Sequence, residues 1–290
     1  MEPSDRAYLS ILSWPDGFMH ADRVESLVLA AGMDPYDAGQ MARRPTPKIV
    51  QMFDAALRDE VLGVLHERGV MALAPTRSQM ACHPAPESPG FVTRFSGSPP
   101  RGFAVHTRDG GAWTFRPEDV RLVVAGKVRR VGRVTRHASP FDPGYAVDRS
   151  DRVSSQALDL AIRADAAMDE PAGWGMNTSR NTRAVETIDL HMVVDGRGRV
   201  VRLAGGSARI RLDTEPDRRP SLIDAHRPVD DLKGWIPDAV FDEWFPNFNT
   251  PGDVEAVAAR AGQSSSRLNP VAFDFYSVWV AMLDRAVRGW

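Results

Sequence analysis

Over the first quarter of the chain, short segments rich in apolar residues are separated by short polar segments. The stretch AYLSILSW at 7–14 is rich in β-branched and aromatic residues and precedes the turn PDG, which predicts a strand. Apolar residues then recur at helical spacing as far as Gly32, a residue type that commonly ends helices. The pattern therefore predicts a strand followed by a first helix.

Two more helices and two more strands follow by the same criteria. Asp34 and Pro35 form an N-cap and first-turn pair for a second helix. The segment TPKIVQMF predicts a strand, Asp54 can cap a third helix, and VMALAP after Gly69 predicts a last strand. We therefore predict a small βααβαβ sandwich domain over residues 1–76.

Two stretches in this domain, LAAGMDPYDAGQMARRP and LRDEVLGVLHERGVMALAP, resemble the C-terminal domain of the bacterial ribosomal stalk protein. The resemblance covers about a quarter of the chain and implies the fold of that domain. The family's factor-binding surface carries lysines and a Gly-Leu turn near the second helix. Here Asp34 and Asp37 occupy that turn, so the resemblance is one of fold only.

His66 lies in the last turn of the predicted third helix, beside Arg68. There its charge would complement the partial negative charge of the helix C-terminus. The alternative is acid-base chemistry, which needs a partner within hydrogen-bond reach. Because spacing places no such partner, we predict a structural role for His66.

Residues 77–90 are rich in proline and poor in large apolar residues, which predicts a linker. Cys82 and His83 are adjacent in this segment, but a zinc site needs about four ligands at recognisable spacings. We therefore predict no metal and no cofactor.

Residues 91–290 are predicted to form an antiparallel β-sheet or barrel domain with C-terminal helices. FAVHT and AWTF flank a Gly-containing turn, and TIDLHMVV and RVVRLA flank Asp195 and Gly196, so each pair predicts a hairpin. The alternation in the second pair predicts one inward face. DVRLVVAGKVRRV is either a strand pair or one long strand around Gly126. The segment 138–180 is predicted to be largely a loop with a helical part.

The phrase WTFRPEDVRLVVAGKV resembles the corresponding strands of bacterial pleckstrin-homology-like barrels, and the C-terminal helix would plug such a barrel. Trp279 and its neighbours in this helix are accordingly expected against the sheet. Short helices are expected around PDAVFDEWFPNF and DVEAVAARAG, with the following aromatic residues packed on the sheet: Trp235, Phe241, Trp244, Phe245 and Phe248.

The composition of the chain mainly excludes classes of function. The net charge of -2 gives no global field for nucleic acid or membranes, and the single cysteine excludes an intrachain disulfide. No apolar run approaches a membrane span, so a cytoplasmic α+β protein is expected. Only three lysines stand among its 36 cationic residues, which is typical of a GC-rich bacterial genome.

The common catalytic and phosphate-binding motifs are missing from the sequence. Asp189 and His191 share one face of a predicted strand, and Glu186 lies nearby, so the three are candidates for an acid-rich site. No nucleophile or third ligand accompanies them.

The clearest charge feature is a run of cations with no acid between Asp119 and Asp142. The planar guanidinium group of arginine matches the oxygen atoms of a phosphate. The alternative interpretation of this run is a solvated strand face that binds no ligand. The candidate anion-binding residues are Arg121, Lys127, Arg129, Arg130, Arg133 and Arg136. We therefore expect a non-catalytic binding or adaptor protein that engages a protein partner or an anionic ligand. The alternative is an enzyme of an unrecognised family that uses Glu186, Asp189 and His191.

Overall fold

The computed structural model divides the chain into two compact units, which are described separately. It describes residues 5–95, 102–134, 179–204, 209–212, 228–260 and 269–290. The first unit comprises Met1–His83 and Val278–Trp290, and the second comprises Pro84–Ser277. Helices and sheets occur together, which confirms the α+β class. None of the helices in the described ranges is both long and apolar enough to cross a membrane.

The first unit begins with a three-stranded antiparallel sheet in the order β2-β1-β3. Its elements are β1 (Arg6–Ser13), α1 (His20–Ala31), α2 (Pro35–Arg43), β2 (Lys48–Asp54), α3 (Arg58–Glu67) and β3 (Met71–Leu73). Gly32 ends α1 with a φ of 60°, and Asp34 caps α2 by accepting a 2.8 Å hydrogen bond from the Tyr36 amide. Both ends therefore lie where the sequence predicts them.

His66 connects the third helix to the last strand of this sheet. Its Nε2 lies 3.0 Å from the carbonyl oxygen of Ala72, which is in β3. Arg68 turns instead toward α1, where it donates to Ser26 Oγ and pairs with Glu25. His66 thus contacts a strand carbonyl, and its predicted interaction with the charge of the helix end stays a prediction.

The segment predicted as a linker begins with a short helix, α4 (Arg77–Ala81). Thr76 and Gln79 form a capping box, in which each side chain accepts from the other residue's amide at 3.1 and 3.0 Å. Ser78 also donates its hydroxyl and amide hydrogens to the Asp5 carboxylate. These bonds attach the segment to the first unit, which therefore extends to His83 rather than ending at residue 76.

The last helix, α7 (Pro270–Arg288), is divided between the two units after Ser277. Its Trp279 belongs to the first unit and donates from Nε1 to the buried Ser10 Oγ at 2.8 Å. The expectation that Trp279 lies against the sheet of the 91–290 domain is therefore wrong. The physical reason is that β1 is buried on both of its faces. Tyr8 and Ser10 lie on the face away from the apolar core of the first unit and are themselves fully buried.

The second unit contains two four-stranded sheets, in the orders β10-β4-β5-β6 and β11-β7-β8-β9. Strands β10 and β11 pair in parallel with β4 and β7, so the sheets are mixed rather than purely antiparallel. The strands are β4 (Phe91–Arg94), β5 (Phe103–His106), β6 (Ala112–Phe115), β7 (Val120–Val134), β8 (Ser179–Val194), β9 (Arg197–Ala204), β10 (Arg209–Leu212) and β11 (Val240–Asp242). The remaining helices are α5 (Pro228–Trp235) and α6 (Gly252–Arg260).

Both predicted hairpins are present, and β7 is one long strand. At the β8–β9 turn, Asp195 and Gly196 have φ values of 50° and 74°, as a tight two-residue hairpin requires. The helix expected around residues 237–248 is instead strand β11 and a 3-10 turn. Trp244, which follows β11, is exposed, whereas Phe245 and Phe248 are buried as expected and Phe241 packs against the apolar core.

From Thr187 to Met192, strand β8 is buried on both faces rather than on one. Ile188, Leu190 and Met192 enter an apolar core that also contains residues of the other sheet and of α5. Asp189 and His191 alternate with them and are buried on the opposite face. Of the segment 138–180, which was predicted to be largely a loop with a helical part, residues 138–178 lie outside the described residues, and the last two residues belong to β8.

Gly126 allows two aromatic rings to approach β7 closely. A β-carbon at this position would lie 2.6 Å from Phe245 Cδ1 and 3.0 Å from Phe273 Cε2. The two rings contact each other edge to face at 5.1 Å between centroids, so neither can retreat freely.

Replacement of Gly126 by alanine should therefore destabilise the second unit by about 1–3 kcal/mol through overpacking. Urea unfolding measures this change. The matched control is Gly198→Ala in β9, because a β-carbon there meets only Pro84 Cγ at an ordinary 3.5 Å. Equal stabilities of the two variants would contradict the close approach at Gly126.

Lys48 is a buried lysine in the first unit. Its Nζ donates to the carbonyl oxygens of Met41 and Arg44 at 2.6 and 2.7 Å, at the end of α2. Burial, with added repulsion from the charges of Arg23 and Arg44, lowers the pKa of Lys48 to about 8. The folded protein therefore holds this proton less tightly than the unfolded chain does.

As the pH rises from about 8 toward the ordinary lysine pKa of 10.5, the folded form should bind fewer protons than the unfolded form. The free energy of unfolding should then increase over this window relative to Lys48→Met, whose side chain does not titrate. Chemical unfolding of both proteins at several pH values between 7 and 10.5 tests this, and a pH-independent difference would contradict it.

Candidate functional site: a buried polar network and a cationic strand face

Asp189 and Arg202 lie directly opposite each other on β8 and β9. Arg202 donates from Nε and Nη2 to the two carboxylate oxygens of Asp189, each at 2.7 Å. Both residues are almost fully buried. The pair is therefore a bidentate ion pair across the sheet, the geometry in which an arginine-carboxylate contact is strongest.

Two residues from the start of α7 complete the network. Ser277 Oγ donates to Asp189 Oδ2 at 2.7 Å and lies 2.9 Å from His191 Nε2. Asp274 accepts a hydrogen bond from Arg202 Nη1, and the Arg202 guanidinium also lies 5.3 Å from the Phe273 ring centroid. The network thus joins two strands to one helix.

A second buried pair fixes the same part of the helix. Tyr276 donates its hydroxyl hydrogen to Asp242 at the end of β11. Burial raises the pKa of Tyr276, and the Asp242 charge raises it further. Burial also raises the pKa of Asp242, although the Tyr276 hydrogen bond opposes that change.

The electrostatics of the network determine where its protons lie. Burial alone would raise the pKa of Asp189, but the charge and hydrogen bonds of Arg202 outweigh it and hold that pKa below its ordinary value. Burial likewise opposes the charge of Arg202, and the Asp189 and Asp274 carboxylates more than offset this and raise its pKa. Asp189 is therefore an ionised acceptor.

This proton order is the reverse of an activated serine. Because an ionised carboxylate can only accept, the Ser277 hydroxyl donates to Asp189, and its oxygen accepts from Nε2–H of His191. A nucleophilic serine instead donates to the histidine that removes its proton. The arrangement therefore fixes side chains and does not prepare Ser277 for attack.

Glu186 does not join the other two candidates. It lies on the face of β8 that carries Ile188, opposite Lys127 in the strand ladder. Burial raises the pKa of Glu186, the charge of Lys127 opposes the rise, and Glu243 and Asp230 add to it. The structure thus brings together Asp189 and His191 but leaves Glu186 on the other side of the sheet.

The cationic residues of β7 differ from this network in their exposure. Arg121, Lys127 and Arg129 are exposed, and none of them forms an ion pair with an acid of the described ranges. Arg130 and Arg133 lie further along the same strand, and Arg136 lies outside the described residues. We call the set Arg121, Lys127, Arg129, Arg130 and Arg133 the cationic residues of β7.

Several residues of both features escaped the sequence analysis. Arg202 and Ser277 are 13 and 88 positions from Asp189, so spacing along the chain gave no sign of them. Arg180 and Arg183 lie on β8 opposite Arg133 and Arg130. Their cationic character was visible in the sequence, but their pairing required the strand register.

No group of three or more histidine, cysteine, aspartate or glutamate residues within the described ranges could hold a metal ion. Cys82 is exposed, and the network above contains arginine and serine rather than a set of metal ligands.

Comparisons with protein-family models, curated proteins and solved structures found no match to this chain. The resemblances to the stalk-protein domain and to pleckstrin-homology-like barrels therefore stay predictions.

Replacement of Asp189 by asparagine should leave the Arg202 charge buried without its main partner. We expect a loss of about 3–5 kcal/mol in the free energy of unfolding, as for other broken buried pairs. Ser277→Ala should cost less, about 1–3 kcal/mol, because it removes a neutral hydrogen-bonding group. Urea unfolding at neutral pH measures both variants.

Because the folded pKa of Asp189 is lowered, its contribution is present above the ordinary carboxyl pKa of 3.8 and is lost as the pH falls through the folded pKa. The difference between wild type and Asp189→Asn should therefore shrink in acid. The control is Glu243→Gln, which breaks the exposed pair with Lys233 and should change stability little. Similar losses for both carboxylates would contradict a structural role for the network.

Proposed function

We propose that the chain is a non-catalytic binding or adaptor protein that engages an anionic ligand through the cationic residues of β7. The observation that carries this proposal is the exposure of Arg121, Lys127 and Arg129 without ion-pair partners among the described residues. An ion pair between an exposed arginine and a nearby acidic side chain ordinarily costs little free energy to form. A strand on which Arg121 and Arg129 have no such partner among the described residues favours an external anion.

Lys127 contributes less than the arginines to this surface. It lies opposite Glu186, whose carboxylate balances part of its charge. The arginines Arg129, Arg130 and Arg133 follow it on a stretch that contains no acid. The strongest positive field is therefore expected toward the end of β7.

The alternative, an enzyme that uses Glu186, Asp189 and His191, has less support. Asp189 and His191 are buried at about 1% exposure, so a substrate has no access to them in this conformation. Their neighbour Ser277 donates its proton to a carboxylate, and Glu186 is on the opposite face. A protein partner is the other ligand class that the sequence leaves open.

Charge reversal at Arg129, Arg130 and Arg133 should abolish binding to polyanions while leaving the fold intact, because surface substitutions of this kind usually alter stability little. Wild type and the triple variant are compared for binding to DNA, RNA, heparin and anionic liposomes at two salt concentrations. Wild-type binding should weaken steeply as salt rises.

The matched control reverses the charge of Arg108 and Arg116, two exposed arginines of the second unit that are not on β7. This control should retain binding. Equal loss in both variants would indicate a general charge effect, and a wild type that binds none of the polyanions would overturn the proposal in favour of a protein partner.

A further inference from the structure

Strands β7 and β8 continue together beyond the rest of their sheet. Strand β9 pairs with β8 from Thr187 onward, and β11 pairs with β7 only over 122–124. Residues 127–134 and 179–186 therefore pair with each other over eight positions, with no third strand among the described residues. We call these two segments the β7–β8 ribbon.

The register of this ribbon places like charges opposite each other. Arg130 is directly opposite Arg183, and Arg133 is directly opposite Arg180. Residues opposite each other in an antiparallel ladder are near neighbours, and like charges there are destabilising. Because successive residues of a strand alternate between its two faces, the two pairs belong to opposite faces of the ribbon.

The charge of the ribbon as a whole is strongly positive. It contains six cations and one acid, and the acid, Glu186, is at the end nearest the sheet. The cations are Lys127, Arg129, Arg130, Arg133, Arg180 and Arg183. An anionic partner would offset this excess of positive charge.

We propose that the β7–β8 ribbon binds double-stranded nucleic acid, with the two strands entering a groove and their arginines contacting phosphates. This inference rests on the proposed function and names the partner class of the same site. It also adds Arg180 and Arg183 of β8 to the binding residues. Arginine suits the role because its planar fork matches both phosphate oxygens and the groove edge of guanine.

The dimensions of the ribbon fit a duplex. Eight antiparallel pairs extend over about 27 Å, and the two strands are roughly 4.8 Å apart. The major groove of B-form DNA is about 12 Å wide and admits a two-stranded ribbon. Over that length a duplex presents many phosphates, because it carries one negative charge per about 1.7 Å of its axis.

The composition of the ribbon favours a duplex over a single strand. Proteins that bind single strands stack the bases on aromatic side chains in a basic groove. The two segments read KVRRVGRV and SRNTRAVE and contain no aromatic residue. The ribbon therefore offers charge and shape but no stacking surface.

The test measures fluorescence polarisation with a labelled 20-base-pair DNA duplex and with one of its strands alone, at 50 and 200 mM salt. The key variant is Arg180→Gln with Arg183→Gln, which changes β8 only. If the ribbon meets about four phosphates, wild-type affinity should fall about 100-fold between the two salt concentrations. The variant should bind the duplex at least about tenfold more weakly and with a shallower salt dependence.

Two further variants separate an effect of charge on binding from an effect of misfolding. Arg180→Lys with Arg183→Lys keeps both charges and should retain most of the salt dependence. Arg108→Gln with Arg116→Gln removes two charges away from the ribbon and should bind as wild type does. Thermal melting of every variant shows whether it is folded, and removal of the facing arginines should not lower the melting temperature.

Each outcome bears on the inference. Preferential duplex binding that the glutamine variant of Arg180 and Arg183 loses supports it. Binding to heparin, liposomes or single strands without preference for the duplex overturns it, as does a glutamine variant that binds the duplex like wild type; both leave the proposed function standing. A wild type that binds no polyanion overturns the inference and the proposed function together.

Discussion

The buried ion pair between Asp189 and Arg202 is the constraint on which the second unit depends. Two charges removed from water are tolerated only when each finds good partners, and here the pairing is bidentate across adjacent strands. Ser277 also donates to Asp189, and Asp274 accepts from Arg202, so the start of α7 must lie on this face of the sheet. The absence of a side chain at Gly126 allows Phe245 and Phe273 to pack closely against β7.

This constraint also affects which residues are available for function. Aspartate, histidine and serine in mutual contact suggest catalysis, but their proton order and burial make them a structural network. The polar residues that remain exposed on the same sheet are mostly cations of β7. A surface of this kind recognises an anion by charge and hydrogen-bond geometry and needs no reactive group.

Local features of the fold were largely predictable from the sequence. Gly32, the Asp34 cap and the Asp195-Gly196 turn follow from the backbone preferences of individual residues, which neighbours along the chain do not alter. The shared face of Asp189 and His191 follows from strand alternation. The same alternation places Glu186 on the other face, although nearness along the chain had grouped it with them.

The sequence by itself determined the α+β class, most element positions in the first unit, both hairpins and the run of cations on β7. Tertiary structure alone decided that β10 and β11 pair in parallel with their neighbours and that Trp279 donates to Ser10. It also decided that Arg202 and Ser277 contact Asp189. The strand register, finally, placed Arg180 and Arg183 opposite arginines of β7. The physical reason is sequence separation. Turns, caps and periodicity depend on residues a few positions apart, whereas these pairings join distant segments, whose choice of partner depends on burial and strand register in the whole fold.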